Sequence, residues 1–288
     1  MILQSQKAIV TGCGRGLGAV VAQTMWREGA DLLLVDRLQS ALSEFRESLA
    51  ASRPQQQALA FPIDLGDSSA PRAIFDEARR LWPRLDILIN NAGIQGPIGM
   101  VADNDWAAWR ETVQIDLLAP AELCQLAITW MRRTGGGRIV NLGGGGAAGL
   151  RPNFSAYATA KCGLIKFTET IAAEVASLGI RVNSIAPGPM NTAMLQEILR
   201  AGEDHAGAKE YAQVSKQVAS GATNPQIAAD LIVYLASEQS AGVTGKLISA
   251  VWDPWQTLHE HAADLRASDV YTLRRIVPAD RGLTWPDA

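Results

Sequence analysis

Short apolar segments alternate with longer segments of helical periodicity along residues 1–249. Seven apolar segments predict strands, at Lys7 to Val10, Asp31 to Val35, Ala58 to Phe61, Asp86 to Ile89, Arg138 to Leu142, Ile180 to Ile185 and Lys246 to Ser249. Six segments between them predict helices, at Leu17 to Glu28, Gln39 to Ala51, Ala70 to Leu81, Trp106 to Arg132, Ala156 to Ser177 and Pro225 to Leu235. Several strands lack two-residue alternation, as expected where helices cover both faces of a sheet. The pattern predicts one doubly wound α/β domain of three layers around a parallel sheet of about seven strands.

Two segments interrupt this alternation. Residues 189–222, after the sixth strand, combine Gly and Pro with a helical pattern, and we interpret them as lid-like. Residues 250–288 form a C-terminal extension that contains Trp252, Trp255 and Trp285. Both segments are candidates to cover the carboxyl ends of the strands, where ligands bind in open α/β sheets. For the tryptophans we favour packing within the extension or at a subunit interface, and a wall of a substrate pocket is the alternative.

Composition and charge exclude several classes of protein. With 48% hydrophobic and 19% charged residues, the 288-residue chain is typical of a globular protein with a sizeable core. A net charge of −3 provides no basic surface for nucleic acid. No apolar run approaches the roughly 18 residues that span a bilayer, and the first residues are too polar for a signal peptide. Three cysteines without metal-ligand spacing predict a reducing, cytoplasmic setting and no bound metal.

A glycine-rich turn follows the first strand and reads Thr11-Gly12-Cys13-Gly14-Arg15-Gly16-Leu17-Gly18. Glycines at Gly12, Gly16 and Gly18 allow unusual backbone angles and let a pyrophosphate approach the main chain closely. The helix that follows would direct free N–H groups and the positive end of its dipole at the phosphates. The turn therefore predicts a nucleotide site, with a purely structural turn as the alternative.

Asp36 at the end of the second strand favours the nucleotide interpretation. A carboxylate at this position accepts hydrogen bonds from the adenosine ribose hydroxyls and repels a 2′-phosphate, which favours NAD over NADP. Arg15 and Arg37 favour NADP instead, because a guanidinium can pair with that phosphate. On balance we expect NAD.

Tyr157 and Lys161 form the second candidate site. Four residues apart on a helix, they share one face. A nearby ammonium stabilises a phenolate and lowers the pKa of tyrosine from its usual value near 10. The pair would then act as an acid or base nearer neutral pH. An ordinary helix-surface pair is the alternative, and the nucleotide turn upstream favours the catalytic interpretation.

Together these motifs resemble the short-chain dehydrogenase/reductase family, which has a Rossmann fold. The resemblance covers about residues 1–249, and its further matches are Asp64-Leu65, Asn90-Asn91-Ala92-Gly93, the segment from Arg181 to Pro187-Gly188, and Thr192. It implies cofactor contacts from Arg15, Leu17, Asp64, Leu65, Asn91, Ala92, Gly93, Pro187, Gly188 and Thr192 in addition to the residues above. It also implies that Tyr157 exchanges a proton with the substrate oxygen and that Lys161 binds the nicotinamide ribose.

Two positions depart from the family's pattern. Gly144 stands where the family has a catalytic serine, and Asp116 stands where it has an asparagine. Losing one preorganised donor to a reacting oxygen typically reduces the rate roughly 100- to 1,000-fold. A water molecule, or a backbone N–H of Gly144 or Gly145, could replace the hydroxyl.

The leading functional prediction is hydride transfer between NAD and a secondary alcohol or its ketone. Substrate contacts are expected from Gln95, Asn153, Met190 and Trp252, which suggest a polyol or sugar-type small molecule. One alternative is a nucleotide-binding homologue with a regulatory or scaffold role, and another is a non-redox lyase or dehydratase that uses Tyr157 as a base. The resemblance also implies a homodimer or homotetramer, without a nucleic-acid or membrane partner.

Overall fold

A parallel sheet forms the centre of the molecule in the computed structural model, which describes residues 1–144, 146–190, 192–221 and 223–285. Within these residues the sheet has seven strands: β1 (Lys7–Thr11), β2 (Asp31–Asp36), β3 (Ala58–Pro62), β4 (Ile87–Asn90), β5 (Gly137–Leu142), β6 (Ile180–Ala186) and β7 (Leu247–Ser249). Their order is β3-β2-β1-β4-β5-β6-β7, and all neighbours pair in parallel. From β1 the chain adds β2 and β3 on one side of the sheet, and then β4 to β7 on the other side. The helices that leave β1 and β4 therefore lie on opposite faces, which creates a crevice at the carboxyl ends of these strands. The predicted fold class is confirmed.

Helices cover both faces of this sheet. They are α1 (Gly16–Arg27), α2 (Gln39–Ser52), α3 (Ala70–Leu81), α4 (Trp106–Val113), α5 (Ala119–Thr134), α6 (Ser155–Glu174), α7 (Ala193–Ala206), α8 (Ala208–Ser220), α9 (Pro225–Ala236) and α10 (Ala262–Ala267). One apolar core lies beneath α1, α2 and α9, and a second lies beneath α3, α5 and α6. Burial of these two faces is the main stabilising contribution to the fold. Among the described residues, none of the helices has both the length and the apolar character to cross a bilayer.

The single helix predicted over Trp106 to Arg132 contains a change of helical pitch. A π-helical turn, Gln114–Leu118, joins α4 to α5. Pro120 lies in the first turn of α5 and has no N–H to bond the carbonyl four residues earlier, so the regular α-helical ladder is interrupted there. Asp116 lies inside this turn and is fully buried. Single π turns of this kind often occur at functional sites.

The lid-like segment contains the helices α7 and α8, which Gly207 separates at a φ of 84°. The described part of the C-terminal extension packs along the edge strand β7 and over α9. Leu247 N–H donates to Tyr271 O at 2.8 Å, so the extension satisfies part of the open edge of the sheet. Trp255 packs on Tyr234 of α9 with ring centroids 5.6 Å apart. Trp255 therefore packs the extension onto α9 rather than lining the crevice between β1 and β4.

Candidate active site

A cavity of about 470 Å³ opens at the crevice between the carboxyl ends of β1 and β4. Most predicted site residues line it, namely Gly12, Arg15, Gly16, Leu17, Gly18, Asp36, Arg37, Asp64, Leu65, Asn91, Ala92, Gly93, Gln95, Tyr157, Lys161, Pro187, Met190 and Thr192. Motifs that lie more than a hundred residues apart in the sequence therefore share one cavity.

The glycine turn after β1 has two packed positions and one open position. A Cβ on Gly12 would lie 2.7 Å from the Ala92 Cα atom, and a Cβ on Gly18 would overlap the Gly12 carbonyl. A Cβ on Gly16 would meet no atom within 4 Å, and this residue has a φ of 59°. Gly12 and Gly18 thus allow the turn to pack closely, whereas Gly16 leaves the main chain accessible from the cavity.

The first turn of α1 is an uncapped helix N-terminus that faces this cavity. Arg15 precedes α1 with extended backbone angles, makes no side-chain cap, and the first turn contains no acidic residue. Asn91 fixes the turn from β4, because its Nδ2 donates to Thr11 O and Gly12 O at 2.9 Å each. The result is a rigid set of N–H groups with a positive dipole end, suited to an anion such as a phosphate.

Asp36 is oriented by the backbone at the far side of the turn. Its Oδ2 accepts from Gly14 N–H at 2.8 Å, and its Oδ1 accepts from Leu38 N–H at 2.9 Å. Arg37 next to it is half exposed and forms an ion pair with Asp64, with 3.7 Å between Nη1 and Oδ2. The negative charge of Asp36 is therefore fixed in the cavity wall, while the guanidinium of Arg37 already has an acidic partner.

Lys161 forms a buried ion pair with Asp116, with 3.4 Å between Nζ and Oδ2. The side chains are 4% and 0% exposed, and Asp116 Oδ1 also accepts from Ile94 N–H at 2.9 Å. Burial raises the pKa of Asp116 above its usual value, and the charge of Lys161 and the Ile94 N–H offset only part of that rise. A Cβ on Gly93 would lie 3.2 Å from both Lys161 Nζ and Asp116 Oδ1, so glycine there keeps the ammonium accessible from the cavity.

The phenol of Tyr157 is 6% exposed and lies near groups of both charges. Burial raises its pKa above the ordinary value, the Asp116 carboxylate raises it further, and the Arg151 guanidinium lowers it. The sequence predicts that Lys161 would lower the pKa of Tyr157. The structure instead gives a net rise, because burial and Asp116 outweigh the opposing effect of Arg151. The ligand-free phenol is consequently protonated at neutral pH and is suited to donate a proton.

Gly144 lies in contact with the Tyr157 hydroxyl. A Cβ on Gly144 would overlap Tyr157 Oη and would lie 2.8 Å from Cζ. The phenol therefore occupies part of the volume that a side chain at position 144 would need. The neighbouring Gly145, a candidate backbone donor, lies outside the described residues.

Gln95 contributes a buried amide to the cavity wall. It is 1% exposed, and neither its Oε1 nor its Nε2 has a hydrogen-bond partner in the described part of the chain. The flanking residues are fixed, since Ile94 N–H bonds Asp116 and a Cβ on Gly96 would overlap Thr112 Oγ1. An unpartnered buried amide typically costs about 1–3 kcal/mol, which a ligand with matching polar groups would recover.

Five predicted residues lie outside the cavity lining: Asp116 and Gly144, described above, and Gly188, Asn153 and Trp252. Gly188 has a φ of 84°, and a Cβ there would lie 2.5 Å from Val251 Cγ2. Asn153 has a φ of 69° in the loop before α6 and accepts from Gly99 N–H at 2.8 Å through its carbonyl. Trp252 is 70% exposed, because the turn after β7 directs the chain away from the crevice towards α9. The expected substrate contact of Trp252 is therefore absent from the described cavity wall.

Sequence reasoning missed several residues of the site. Met194 and Glu197 at the start of α7 also line the cavity, and Thr11 Oγ1 accepts from the N–H groups of Asn91 and Ala92 at 3.1 Å each. Thr11 belongs to the glycine motif and could have been found from it. The α7 residues belong to no motif, and only the path of the lid-like segment brings them to the cavity.

Known proteins resemble this chain over most of its length. A cis-4-hydroxycyclohexanecarboxylate dehydrogenase of Sinomonas cyclohexanicum is 31% identical over 245 residues, which are 84% of this chain and 93% of that protein. A crystal structure from Beutenbergia cavernae, assigned as an NAD(P)-dependent gluconate 5-dehydrogenase and holding NADP at low occupancy, is 29% identical with a TM-score of 0.76 and covers 86% of this chain and 96% of its own. An NAD⁺-bound xylitol dehydrogenase shares the fold, with a TM-score of 0.78 at 24% identity over 86% of this chain and 98% of its own.

The family assignment rests on a match to one protein family over more than half of the chain. Residues 6–203 match the family described as short chain dehydrogenase, which includes the glycine turn, the Asn-Asn-Ala-Gly motif, Tyr157 and Lys161. The fold, the strand order and the position of the cavity agree with this match. The chain belongs to the short-chain dehydrogenase family.

Proposed function

We propose that this protein is a nicotinamide-dependent oxidoreductase that interconverts a secondary alcohol and its ketone. The observation that carries the proposal is the shared cavity, in which Tyr157 and Lys161 face the same space as the glycine turn and Asp36. A proton-transfer residue beside a nucleotide site is the arrangement that hydride transfer to or from a carbinol carbon requires. The 31% identity to a hydroxycyclohexanecarboxylate dehydrogenase supports it.

The residues of the cavity fit a dinucleotide. Gly16 leaves the turn open to a pyrophosphate, and the uncapped N-terminus of α1 offers N–H groups and a positive dipole end. Asp36, fixed in the cavity wall by two backbone N–H groups, would accept hydrogen bonds from an adenosine ribose, and we propose a preference for NAD over NADP on this ground. The ion pair of Arg37 with Asp64 supports the same preference, because it engages the cation that a 2′-phosphate would need.

Tyr157 would transfer the proton and Lys161 would hold the ribose next to the nicotinamide. The bound cofactor supplies or accepts the hydride. In the reducing direction, the protonated Tyr157 phenol donates its proton to the ketone oxygen. In the oxidising direction, the phenol must first ionise, so the raised pKa of Tyr157 favours alkaline conditions.

We infer that the site works with an altered catalytic set, in which Gly144 and Asp116 replace the expected serine and asparagine. Gly144 has no side chain to bond the reacting oxygen, and the Tyr157 hydroxyl lies against it instead. Asp116 partners Lys161 with a negative charge, which an asparagine would not provide. Catalysis would then depend on Tyr157 with a water molecule or a main-chain N–H as the second donor.

Gln95 supports a substrate with more than one hydroxyl group. Its amide offers one acceptor and two donors in the cavity wall, and a hydroxyl that both donates and accepts would satisfy it. We propose a polyol, sugar-type or hydroxylated ring substrate, with Met190 as an apolar contact. A homodimer or homotetramer and a cytoplasmic location stay predictions. The three cysteines of the chain are free, which is compatible with a reducing setting.

The absorbance of reduced cofactor tests the proposal directly. Purified protein is mixed with NAD⁺ or NADP⁺ and a panel of simple secondary alcohols, cyclic diols, polyols and hydroxy acids. Reduced cofactor should accumulate with at least one secondary alcohol. The missing serine favours one competing function, a binding protein without turnover. A binding protein of this kind would bind the cofactor, as measured by fluorescence, but would show no redox reaction with any member of the panel. This result would contradict the proposal.

A further inference from the structure

Arg151 places a guanidinium beside the aromatic ring that carries the proton-transfer hydroxyl. It lies in the loop between β5 and α6, and its side chain is 13% exposed. Its Cζ lies 4.0 Å from the ring centroid of Phe154 and 5.4 Å from that of Tyr157. Phe154 is fully buried immediately before α6, so the guanidinium packs on the first turn of the helix that holds Tyr157.

Glu210 holds this guanidinium from the lid-like segment. It lies in the first turn of α8, and its Oε1 accepts from Arg151 Nη2 at 2.7 Å and from Nε at 3.0 Å. The Glu210 side chain is 23% exposed, so the pair is better shielded than an ordinary surface ion pair. A Cβ on Gly146 would lie 2.8 Å from Arg151 Cβ, so the glycine lets the loop wrap closely around the arginine.

The surroundings of Tyr157 explain why this contact matters. Asp116 on the π turn, Lys161 on α6 and Arg151 on the loop are the charged groups that face its ring, and Glu210 of α8 faces Arg151. Lys161 is paired with Asp116, and its charge is directed at that carboxyl group. Arg151 is then the positive charge near Tyr157 that lowers the pKa of the phenol. Position 144 provides no side chain to fix the hydroxyl.

We propose that Arg151 is a positioning residue for Tyr157, and that Glu210 locks it there so that the lid helix α8 and the proton-transfer group form one unit. The guanidinium packs against both rings and holds the phenol next to Gly144. A serine side chain at position 144 would otherwise help to hold the phenol there. Small displacements of a reacting group reduce rates by about tenfold or more. The pair's catalytic role rests on the function proposed above, whereas the mechanical link does not.

The test uses Arg151→Met, Glu210→Gln, their double variant and Arg151→Lys. Arg72→Met serves as a control, since Arg72 forms an ion pair with Glu122 at 3.1 Å on α3 and α5, away from the cavity. We expect each single variant to reduce kcat/KM for alcohol oxidation about tenfold, and the double variant to lose no more than either single one. Arg151→Lys should retain part of the activity, and Arg72→Met should resemble the wild type.

The pH profile separates positioning from general destabilisation. Arg151→Met should move the rise of kcat/KM for oxidation to higher pH, because the positive charge near Tyr157 is gone. Glu210→Gln should not move it to higher pH, since the arginine charge remains. Losses that multiply in the double variant, or an unchanged pH profile for Arg151→Met, would overturn the proposal.

Hydrogen–deuterium exchange tests the mechanical link without any turnover. In the ligand-free protein, Arg151→Met and Glu210→Gln should both raise exchange in α8 and in the first turn of α6, with no change in α3. If the wild-type protein shows no redox activity, the proposed function fails and this measurement still decides the link. Unchanged exchange in α8 for both variants would overturn it.

Discussion

The Tyr157 hydroxyl occupies the space that a side chain on Gly144 would fill. A Cβ at position 144 would overlap Tyr157 Oη and lie 2.8 Å from Cζ. A glycine at position 144 therefore leaves room for the phenol in its observed position.

Gly144→Ser is therefore expected to reduce activity. The new Cβ must displace the phenol, and a misplaced proton donor typically reduces the rate by about tenfold or more. Gly144→Ala should reduce it by a similar factor, because the clash involves the Cβ atom. Initial rates of oxidation measure both effects. Gly149→Ala is the matched control in the same loop, since a Cβ there would meet no atom within 4 Å. Higher activity in Gly144→Ser would contradict this account of the site.

Asp116→Asn is expected to shift alcohol oxidation to lower pH. The carboxylate raises the pKa of Tyr157, so its removal lowers that pKa and the phenolate forms at lower pH. The loss of the ion pair also frees the charge of Lys161, which acts in the same direction. Profiles of kcat/KM against pH measure the shift, with the exposed Asp103→Asn as control. An alkaline shift in Asp116→Asn would refute this assignment.

Asp36→Ser is expected to weaken the preference for NAD. The carboxylate that would bind the ribose hydroxyls and repel a 2′-phosphate is removed, and Arg37 remains nearby. The ratio of dissociation constants for NADPH and NADH, measured by fluorescence, should fall by about tenfold. Binding does not depend on turnover, so the result stands without an identified substrate. Tighter binding of NADPH than of NADH by the wild-type protein would show that the preference is wrong.

Gln95→Leu is expected to lower activity towards diols more than activity towards simple alcohols. A buried amide that bonds a second hydroxyl favours a diol, whereas a simple alcohol leaves the amide unpaired. The ratio of kcat/KM for cyclohexane-1,2-diol to that for cyclohexanol should fall by about tenfold in the variant. Cyclohexanol itself provides the internal control, because its own kcat/KM should not fall. An unchanged ratio would show that Gln95 takes no part in substrate recognition.

The sheet and the nucleotide turn could be predicted from the sequence because their signals are local. Apolar runs such as Asp31 to Val35 match the observed strands to within one residue at each end, and Ala70–Leu81 matches its helix at both ends. Glycine patterns indicate unusual backbone angles directly, and Gly12 and Gly16 do have positive φ values. These features depend on residues that are close together in the chain.

The remaining features of the site depend on contacts between distant segments. The close approach of Tyr157 Oη to Gly144 and the ion pair of Arg151 with Glu210 connect elements that no periodicity relates. The rise in the pKa of Tyr157 follows from burial and from Asp116 in a π turn, neither of which the sequence pattern reveals. The position of Trp252 depends on how the chain leaves β7, and composition cannot determine that.

The most direct test of the central claim compares the wild-type protein with Tyr157→Phe in the cofactor absorbance assay. With an alcohol that the wild type oxidises, Tyr157→Phe should lose activity by about 100-fold or more while it binds NADH as tightly as before. Tyr271→Phe, in the C-terminal extension and outside the cavity lining, should retain its activity. Turnover in Tyr157→Phe within a few-fold of the wild type would contradict the claim that Tyr157 transfers the proton in this cavity.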